Sequence, residues 1–425
     1  MEQKLISLLG LFVMMGLAWL MSSNRSKVSL RVIVGGLLLQ FFFAFLILGT
    51  DPGREFFQFL GDTFKKLLGC VDQGTEFLFG GLVNGERGLI ALKILPTIIF
   101  FSAFMSILYH LGVVQIVIRS MAWAMQKTLR TSGAESLSAA ANIFVGQTEA
   151  PLVIKPYVAT MTHSELMAVM VGGFATVAGG VLAFYVSLGI DAGHLLVASI
   201  ISAPAALLIA KLLQPEVDAP VTSWSGPADA DADGKAENGS SASKPAESPD
   251  QAVNIIDAVA RGTVTGVKLA INVGAMLIVF IALIAVVNGL LGWMGGHFGY
   301  ELSLEKIFGY LFWPFAWLMG VETADCSKVG QLLGIKMVTN EAVAYIKMHE
   351  WLKAGGELAI SERSKIIATY ALCGFANFAS IGIQLGGIGP LAPERQGDLA
   401  RLGFKAMLGG TLAAFMTACI AGILL

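Results

Sequence analysis

The sequence has 425 residues, of which 55% are hydrophobic and only 14% are charged, with a mean hydropathy of +0.72. Soluble domains carry about 25% charged residues, so this composition predicts a protein that spans the lipid bilayer many times. The net charge of -2 gives no reason to expect a nucleic-acid partner. The four cysteines are far apart and form no CxxC pair, which argues against a disulfide framework or a zinc site.

Apolar runs long enough to cross a hydrocarbon core, which takes about 20 residues, predict eight transmembrane helices in an all-α fold. They lie near residues 4–22, 32–49, 90–118, 166–190, 194–213, 266–295, 366–390 and 404–425. Basic residues follow the first, third and seventh spans and mark the cytoplasmic side, which places both termini outside the cytoplasm. Residues 215–251 are rich in Pro, Ser and acidic side chains and predict a flexible acidic linker.

The two halves on either side of this linker resemble each other. In the first half, Thr148-Glu149-Ala150 precedes GFATVA at residues 173–178. In the second half, Asn340-Glu341-Ala342 precedes GFANFA at residues 374–379. The predicted topology starts one unit from inside and the other from outside. We therefore expect an inverted repeat with broken helices, a common design of secondary transporters whose site lies near the bilayer midplane.

Each acid-bearing segment is too polar to form a full span and is expected to leave and re-enter the membrane on one side. Residues 131–160 contain Gly146, which favours a break. Residues 302–346 place Gly320 and the polar stretch 322–328 at the expected turn. Irregular backbone at membrane depth is tolerated only inside protein or around a watery cavity. The sequence thus predicts two re-entrant helical hairpins.

The acids Glu149 and Glu341 require an explanation, because a carboxylate at membrane depth costs about 2.5–3.5 kcal/mol of insertion free energy. One alternative is purely structural: each acid pairs with a nearby lysine, Lys155 or Lys336, or bonds neighbouring backbone. Their matched positions in two repeats, each beside amides or hydroxyls, favour a binding role.

A transporter is the function that this pattern favours, and two other classes remain as alternatives. An intramembrane hydrolase needs a nucleophile with its base, but the sequence has no GxSxG or HExxH motif and no histidine near either acid. A channel can use carboxylates as a selectivity ring, but it has no need of two inverted hairpins. We expect no enzymatic activity and no catalytic residue.

The segments GQTEAPL, NEAVAY and CGFANFASIGIQLGG followed by LAPER resemble the signature segments of the bacterial, sodium-coupled type of concentrative nucleoside transporter. The resemblance implies a homotrimer in the inner (plasma) membrane that imports nucleosides such as uridine with sodium, by an alternating-access, elevator-like movement. The long acidic linker departs from the family pattern. The resemblance implies three scaffold spans with an interfacial segment in 1–130, a transport repeat in 131–214, the cytoplasmic linker in 215–251, a scaffold span in 252–300 and a second transport repeat in 301–425.

The resemblance also implies substrate-binding residues in both hairpins and both broken spans. For the nucleobase these are Gln147, Thr148, Glu149 and Val181. For the ribose hydroxyls they are Glu341, Asn377 and Ser380, with Phe375 against the ligand. Amides and hydroxyls match the donors and acceptors of a base edge, and a carboxylate is a strong acceptor for a vicinal diol.

A sodium site is the last feature that the resemblance implies. Asn142 would supply its side-chain oxygen and Thr176 its hydroxyl, where family members often carry serine. The remaining ligands would be the carbonyl oxygens of Val145 and Val177. Two alternatives stay open: Asn142 is a helix cap, or the coupling ion is a proton carried by one of the two glutamates.

Overall fold

The computed structural model describes residues 2–82, 90–220, 252–297, 299, 302–356 and 359–425. Within these ranges every regular element is a helix and no strand is present. The predicted all-helical fold class is therefore confirmed for this part of the chain. Most of the predicted linker, residues 221–251, lies outside the described residues.

The N-terminal part of the described chain precedes the first predicted hairpin. Its helices are α1 (Glu2–Leu20), α2 (Leu30–Ala44), α3 (Asp51–Phe79), α4 (Ile90–His110) and α5 (Val113–Leu129). Helix α2 continues through one π-helical turn, Phe45–Gly49, before Thr50 caps α3 by accepting the Gly53 N–H with its Oγ1 at 3.1 Å. Helix α3 mixes charged with exposed aromatic residues, such as Phe59. This pattern fits the interfacial segment that was expected near the scaffold spans.

The third predicted span, residues 90–118, is wrong at its C-terminal end. Helix α4 ends at His110, Gly112 adopts a φ of 79°, and α5 is bent by 74° relative to α4. Glycine ends helices in this left-handed conformation because it has no Cβ to clash. The apolar run continues beyond the glycine, so hydropathy alone does not reveal the bend.

The predicted first repeat contains one helical hairpin and one broken span. Its helices are α6 (Gly133–Ala141), α7 (Ala150–Val153), α8 (Lys155–Val158), α9 (His163–Ala175), α10 (Gly179–Ser187) and α11 (Ala192–Leu213). Residues 142–149 between α6 and α7 are irregular, so the predicted interruption around Gly146 is present. Residues 176–178 separate α9 from α10 inside the fourth predicted span. We call α6, residues 142–149, α7 and α8 hairpin 1.

Seven α-helices follow the linker among the described residues, and the last three again form a broken span followed by a long helix. They are α12 (Ile255–Gly296), α13 (Leu304–Leu318), α14 (Cys326–Val338), α15 (Glu341–Ala354), α16 (Glu362–Leu372), α17 (Phe378–Ile388) and α18 (Gln396–Leu424). Residues 373–377 separate α16 from α17, so the seventh predicted span is interrupted like the fourth.

The segment predicted as the second hairpin, residues 302–346, holds three helices and not two. The predicted turn is present, because Gly320 has a φ of 84° and α13 packs against α14 on either side of it. A second break precedes α15, where Asn340 Oδ1 accepts the Val343 N–H at 2.9 Å. This N-cap starts a new helix at Glu341, and α15 continues beyond the predicted end. We call α14, residues 339–340 and α15 hairpin 2.

The most buried helices are those of the two repeats. Five described segments are long and apolar enough to cross a membrane, and the bent pair α4–α5 would be a sixth, against eight predicted spans. The α1 and α2 segments are 33% and 39% buried, whereas the α9–α10, α11 and α18 segments are 83 to 89% buried. These three segments of the repeats therefore form the packed centre, and α1 and α2 lie at its periphery.

The two broken spans meet at their breaks. Gly374 has a φ of 138°, and a Cβ atom there would lie 2.8 Å from the Phe174 carbonyl oxygen and 2.9 Å from that of Ala175. Only glycine fits, since both the conformation and the space exclude a side chain. This close approach brings the break between α16 and α17 onto the end of α9.

Candidate functional site

Glu341 lies at the break of hairpin 2 and is held by both broken spans. Its side chain is buried, and it begins α15 behind the Asn340 cap. The Tyr185 hydroxyl on α10 donates to Glu341 Oε1 at 2.7 Å, and Asn377 Nδ2 donates to Glu341 Oε2 at 3.2 Å. A buried carboxylate is costly unless donors satisfy it, and here each oxygen has one.

The structural alternative for the two acids was pairing with nearby lysines. Lys336 Nζ instead donates to the Ala371 carbonyl oxygen at 3.0 Å. Among the described residues, neither Lys336 with Glu341 nor Lys155 with Glu149 forms an ion pair. The direct hydrogen-bond partners of Glu341 are thus neutral donors, and the buried Lys336 acts on its carboxylate through charge alone.

Gln147 occupies the equivalent place in hairpin 1, within the irregular residues 142–149. It is buried, and its Nε2 donates to Ser380 Oγ on α17 at 3.2 Å. Gln384, also on α17, donates from Nε2 to Gln147 Oε1 at 3.1 Å and to the Met170 carbonyl oxygen at 3.0 Å. The break of hairpin 1 is therefore tied to the second broken span.

One hydrogen-bond network joins the breaks of the two hairpins. The Ser380 N–H donates to Asn377 Oδ1 at 2.9 Å, and Asn377 then donates to Glu341. The network therefore runs from Gln147 through α17 to Glu341. Four of the predicted substrate residues, from both repeats, belong to it.

The other predicted substrate residues lie close by in the chain but outside this network. Thr148 packs against Gly387 of α17. A Cβ atom added at Gly387 would lie 2.5 Å from the methyl carbon of Thr148. Glu149 is exposed at the start of α7, and Val181 is buried in the first turn of α10. Phe375 is half-buried, and its carbonyl oxygen accepts the Asn377 N–H at 2.9 Å.

The predicted sodium ligands lie in residues 142–149 and in the break before α10. Asn142 is fully buried; its Nδ2 donates to the Ser138 carbonyl oxygen at 3.1 Å, while its Oδ1 is buried without a hydrogen-bond donor. The two segments are joined by a 3.0 Å bond from the Gly179 N–H to the Phe144 carbonyl oxygen. Thr176 Oγ1 donates to the Gly172 carbonyl oxygen at 2.9 Å and keeps its lone pairs. A buried oxygen without a donor fits a cation ligand.

Models of one protein family match nearly the whole chain. The C-terminal and N-terminal models of the Na+ dependent nucleoside transporter match residues 194–422 and 9–82, and a nucleoside-recognition model, described as a gate, matches residues 91–191. The chain belongs to the Na+ dependent nucleoside transporter family. The resemblance in its signature segments is thereby confirmed.

Relatives in this nucleoside transporter family cover the chain from end to end. An uncharacterized transporter of Haemophilus influenzae is 45% identical over 99% of this chain and 97% of its own length. Sodium/nucleoside cotransporter 1 of Rattus norvegicus is 42% identical over 99% of this chain, which spans 64% of that protein. Solute carrier family 28 member 3 of Homo sapiens is 42% identical over the full chain, which spans 60% of it.

Solved structures of the protein CNTnw have the same fold. Its inward-facing, substrate-bound structure has a TM-score of 0.88 and 43% identity over 99% of this chain and 97% of CNTnw. A variant of CNTnw in an outward-facing state has a TM-score of 0.89 and 43% identity. The chain is thus a membrane transporter by family, with an established helical architecture.

Two residues of the network in this nucleoside transporter were not predicted from sequence. Gln384 stands within the signature segment CGFANFASIGIQLGG, and an amide inside an apolar span was the available signal. Tyr185 lies one turn beyond Val181, in an apolar run where a tyrosine is an ordinary core residue. Nothing in the local sequence of Tyr185 indicates that it faces Glu341, because the two are 156 residues apart.

Proposed function

We propose that this transporter imports nucleosides such as uridine and that the network between the hairpins is their binding site. The observation that carries the proposal is the position of Glu341, a buried carboxylate whose two oxygens face Tyr185 and Asn377. A vicinal diol presents two O–H donors, and a carboxylate accepts both more strongly than neutral groups do. Glu341 with Asn377 and Ser380 therefore suits ribose.

The nucleobase is assigned to the break of hairpin 1. Gln147 and Thr148 offer an amide and a hydroxyl, which can match the mixed donors and acceptors of a base edge. Val181 and Phe375 supply apolar surface for the ring. Glu149, exposed at the start of α7, is assigned to the base edge or to water at its side.

Sodium is proposed as the co-transported ion. The unpartnered Asn142 Oδ1 supports a cation in this place, together with Thr176 Oγ1 and the carbonyl oxygens of Val145 and Val177. An ion bound there would bridge residues 142–149 to the break before α10. Because Gln147 belongs to the same irregular segment, ordering by sodium would favour nucleoside binding, and by linkage the reverse holds.

The movement is proposed to be alternating access in which the hairpins and broken spans move as a unit past the scaffold helices. The hydrogen bonds that tie each hairpin to the breaks support a single moving body. Helix α12 is 42 residues long and leaves large apolar side chains exposed, such as Ile278 and Leu290. Lipid and neighbouring copies in a homotrimer would cover them. The protein is assigned to the inner membrane with both termini outside the cytoplasm.

The decisive experiment is uptake of labelled uridine into proteoliposomes, with and without an inward sodium gradient. We expect saturable uptake that accumulates uridine against its gradient and depends on sodium. Flux that only equilibrates uridine would indicate a channel, and hydrolysis products would indicate an enzyme. Uptake driven by a pH gradient in sodium-free buffer would favour the alternative, a proton-coupled symporter that uses Glu149 or Glu341.

A further inference from the structure

Gln384 stands behind Gln147 and is fully buried in α17. Both hydrogens of its amide nitrogen are used, one on the Met170 carbonyl oxygen at 3.0 Å and one on Gln147 Oε1 at 3.1 Å. Its own oxygen is buried without a hydrogen-bond donor. The Gln384 side chain therefore donates both of its amide hydrogens to fixed partners, while its amide oxygen accepts no hydrogen bond.

This arrangement determines which way the Gln147 amide points. The orientation of a glutamine amide has to be assigned from its partners, and here the chain of partners ends at a main-chain carbonyl. The Met170 carbonyl can only accept, so the nitrogen of Gln384 must face it. The second hydrogen of that nitrogen then requires an acceptor, and Gln147 must present Oε1. A reversed Gln147 would set two NH2 groups against each other.

The orientation of the Gln147 amide decides which of its atoms faces the proposed ligand. With its oxygen taken by Gln384, Gln147 presents only Nε2 on that side, and this nitrogen has two hydrogens. One is donated to Ser380 Oγ at 3.2 Å. The other hydrogen is left for a ligand. Gln147 is thus a hydrogen-bond donor by position, although a free amide is donor and acceptor alike.

We propose that Gln384 is a positioning residue that fixes Gln147 as a donor, so that the transporter selects nucleobases by a carbonyl oxygen on the base edge. The inference rests on the proposed nucleoside site. It adds that Gln147 recognises the base by donating a hydrogen bond to it. Gln384 acts through Gln147 and does not touch the ligand in this proposal.

The test compares uridine with two nucleosides that each lack one of its base oxygens, in uptake competition by the transporter. The riboside of pyrimidin-2-one lacks the oxygen at carbon 4, the riboside of 4-pyridone lacks the oxygen at carbon 2, and both lack the ring N–H. The difference between the two analogues therefore measures the contact with a carbonyl oxygen. One neutral hydrogen bond changes affinity by about threefold to tenfold, so in the wild type one analogue should compete better than the other by that factor. Equal competition by the two analogues would overturn the proposal.

Gln384→Met keeps the size of the side chain and removes both donors. It should reduce the preference between the two analogues to less than about twofold, because Gln147 is then free to reverse. A double-mutant cycle with Gln147→Met separates positioning from general damage. In the Gln147→Met background, adding Gln384→Met should leave the preference unchanged. Independent effects of the two substitutions, or a wild-type preference in Gln384→Met, would contradict the positioning role.

Gln384→Glu gives a second, opposite test that does not depend on loss of activity. A carboxyl group cannot donate to both the Met170 carbonyl and Gln147, so the Gln147 nitrogen would turn towards it and the Gln147 oxygen towards the ligand. Uridine and cytidine share the oxygen at carbon 2 and differ at carbon 4, where cytidine carries a donor amine. Where the analogues identify the oxygen at carbon 4 as the one that is read, the ratio of uridine to cytidine affinity should therefore shift towards cytidine. A shift towards uridine would overturn the proposal.

Gln40 offers a matched control. It is also buried, its Nε2 donates to the Gly36 carbonyl oxygen of its own helix at 3.1 Å, and its oxygen has no donor. Gln40→Met should leave every nucleoside ratio unchanged, as should the uridine to 2′-deoxyuridine ratio in Gln384→Met. A wild type that inserts correctly but transports no nucleoside would instead refute the proposed function, which the substitutions at Gln384 do not test.

Discussion

Both hairpin breaks bring a polar side chain into the hydrogen-bond network, but the two side chains and the backbone that carries them differ. The break of hairpin 1 is eight residues of irregular backbone, in which the neutral Gln147 is buried and the charged Glu149 is exposed. The break of hairpin 2 is only two residues long and leads directly into α15, with Glu341 in its first turn. The N-terminus of a helix favours a carboxylate, because its free N–H groups carry partial positive charge. The buried charged group, Glu341, is therefore placed where the backbone is regular, and the buried neutral group, Gln147, where it is irregular.

This difference indicates a division of labour between the hairpins. Glu341 is fixed by two donors and by its helix, so its acceptors point in set directions, as a constant partner such as ribose requires. Gln147 is oriented by the side chain of Gln384, so a side-chain substitution can change its polarity without moving the backbone. Variation between nucleobases is thus expected to be read at hairpin 1, and variation in the sugar at hairpin 2.

The strongest way to break the comparison is Glu341→Gln. Hydrogen bonds to a charged group contribute roughly 1.5–3 kcal/mol, so nucleoside affinity should fall on the order of ten- to a hundredfold. The mutant should also lose most of its discrimination between uridine and a nucleoside that lacks the sugar hydroxyls. Competition assays with uridine, 2′,3′-dideoxyuridine and free uracil measure both effects. If uracil competes with the wild type as well as uridine does, Glu341 does not read ribose.

The next largest effect is expected at the proposed ion site beside hairpin 1. Coupling between two ligands is typically about 1–3 kcal/mol, or fivefold to 150-fold in affinity. Asn142→Ala should remove the dependence of nucleoside affinity on sodium at fixed pH and leave weak residual binding. Thr176→Ser keeps the ligand oxygen and should be mild, whereas Thr176→Val should be severe. Uptake that is driven by a pH gradient and unaffected by Asn142→Ala would assign coupling to Glu149 or Glu341.

A smaller effect should follow when Glu341 keeps its charge but loses one of its donors. Tyr185→Phe removes the 2.7 Å hydrogen bond to Glu341 Oε1 and leaves that of Asn377. We expect a roughly tenfold loss of uridine affinity, within the range for one bond to a charged group, and a weaker preference for ribose over deoxyribose. The base ranking should be unchanged.

Tyr345→Phe is the control for Tyr185→Phe. The Tyr345 ring lies 4.5 Å from the Tyr185 ring, and its hydroxyl donates to the Thr369 carbonyl oxygen at 2.8 Å instead of to Glu341. Both substitutions remove one buried hydroxyl from the same aromatic pair. Equal loss of ribose preference in the two variants would show that Tyr185 acts by packing.

Sequence predicted the hairpin 1 break better than the hairpin 2 break, and the reason is local. In hairpin 1 the polar row GQTE and Pro151 interrupt an apolar run, so neighbouring residues in the sequence are enough to predict the break. In hairpin 2 the glycine and polar residues at 320–328 mark a real turn, but it joins α13 to α14. The break that presents Glu341 depends on the Asn340 cap, a weaker signal that was available in TNEAV.

The network itself could be predicted only in part. Asn377 and Ser380, beside the break before α17, are predicted through the resemblance to the transporter family. Tyr185 and Gln384 lie inside regular helices, and their role comes from long-range packing that brings α10 and α17 to the hairpins. The Gly374 contact that permits this packing is visible in sequence only as a glycine among many.

The smallest effect is expected from the linker, which belongs to neither hairpin. The sequence of residues 221–251, acidic and rich in proline with no apolar face, predicts a segment that cannot fold alone. Replacing it with a Gly/Ser connector of the same length should leave uridine uptake nearly unchanged, per molecule of correctly inserted protein. A large loss would mean that the linker has a partner or a gating role.

The replacement must begin after residue 220, because the predicted start of the linker at residue 215 is not separate from the fold. Glu216 Oε2 lies 3.1 Å from Lys211 Nζ and accepts a hydrogen bond from Thr162 Oγ1 at 3.1 Å. Lys211 in turn lies 2.8 Å from Glu135 Oε2, at the base of hairpin 1, and both of these side chains are buried. Glu216 is the partly exposed member of this cluster, with 24% of its side chain accessible, and its loss leaves the buried Lys211 with one carboxylate partner instead of two. Removing a partner from a buried charge costs more than changing an exposed chain, so Glu216→Ala should reduce stability and uptake where the Gly/Ser replacement does not. Equal tolerance of both changes would show that the Lys211–Glu135 pair is sufficient at this end of hairpin 1.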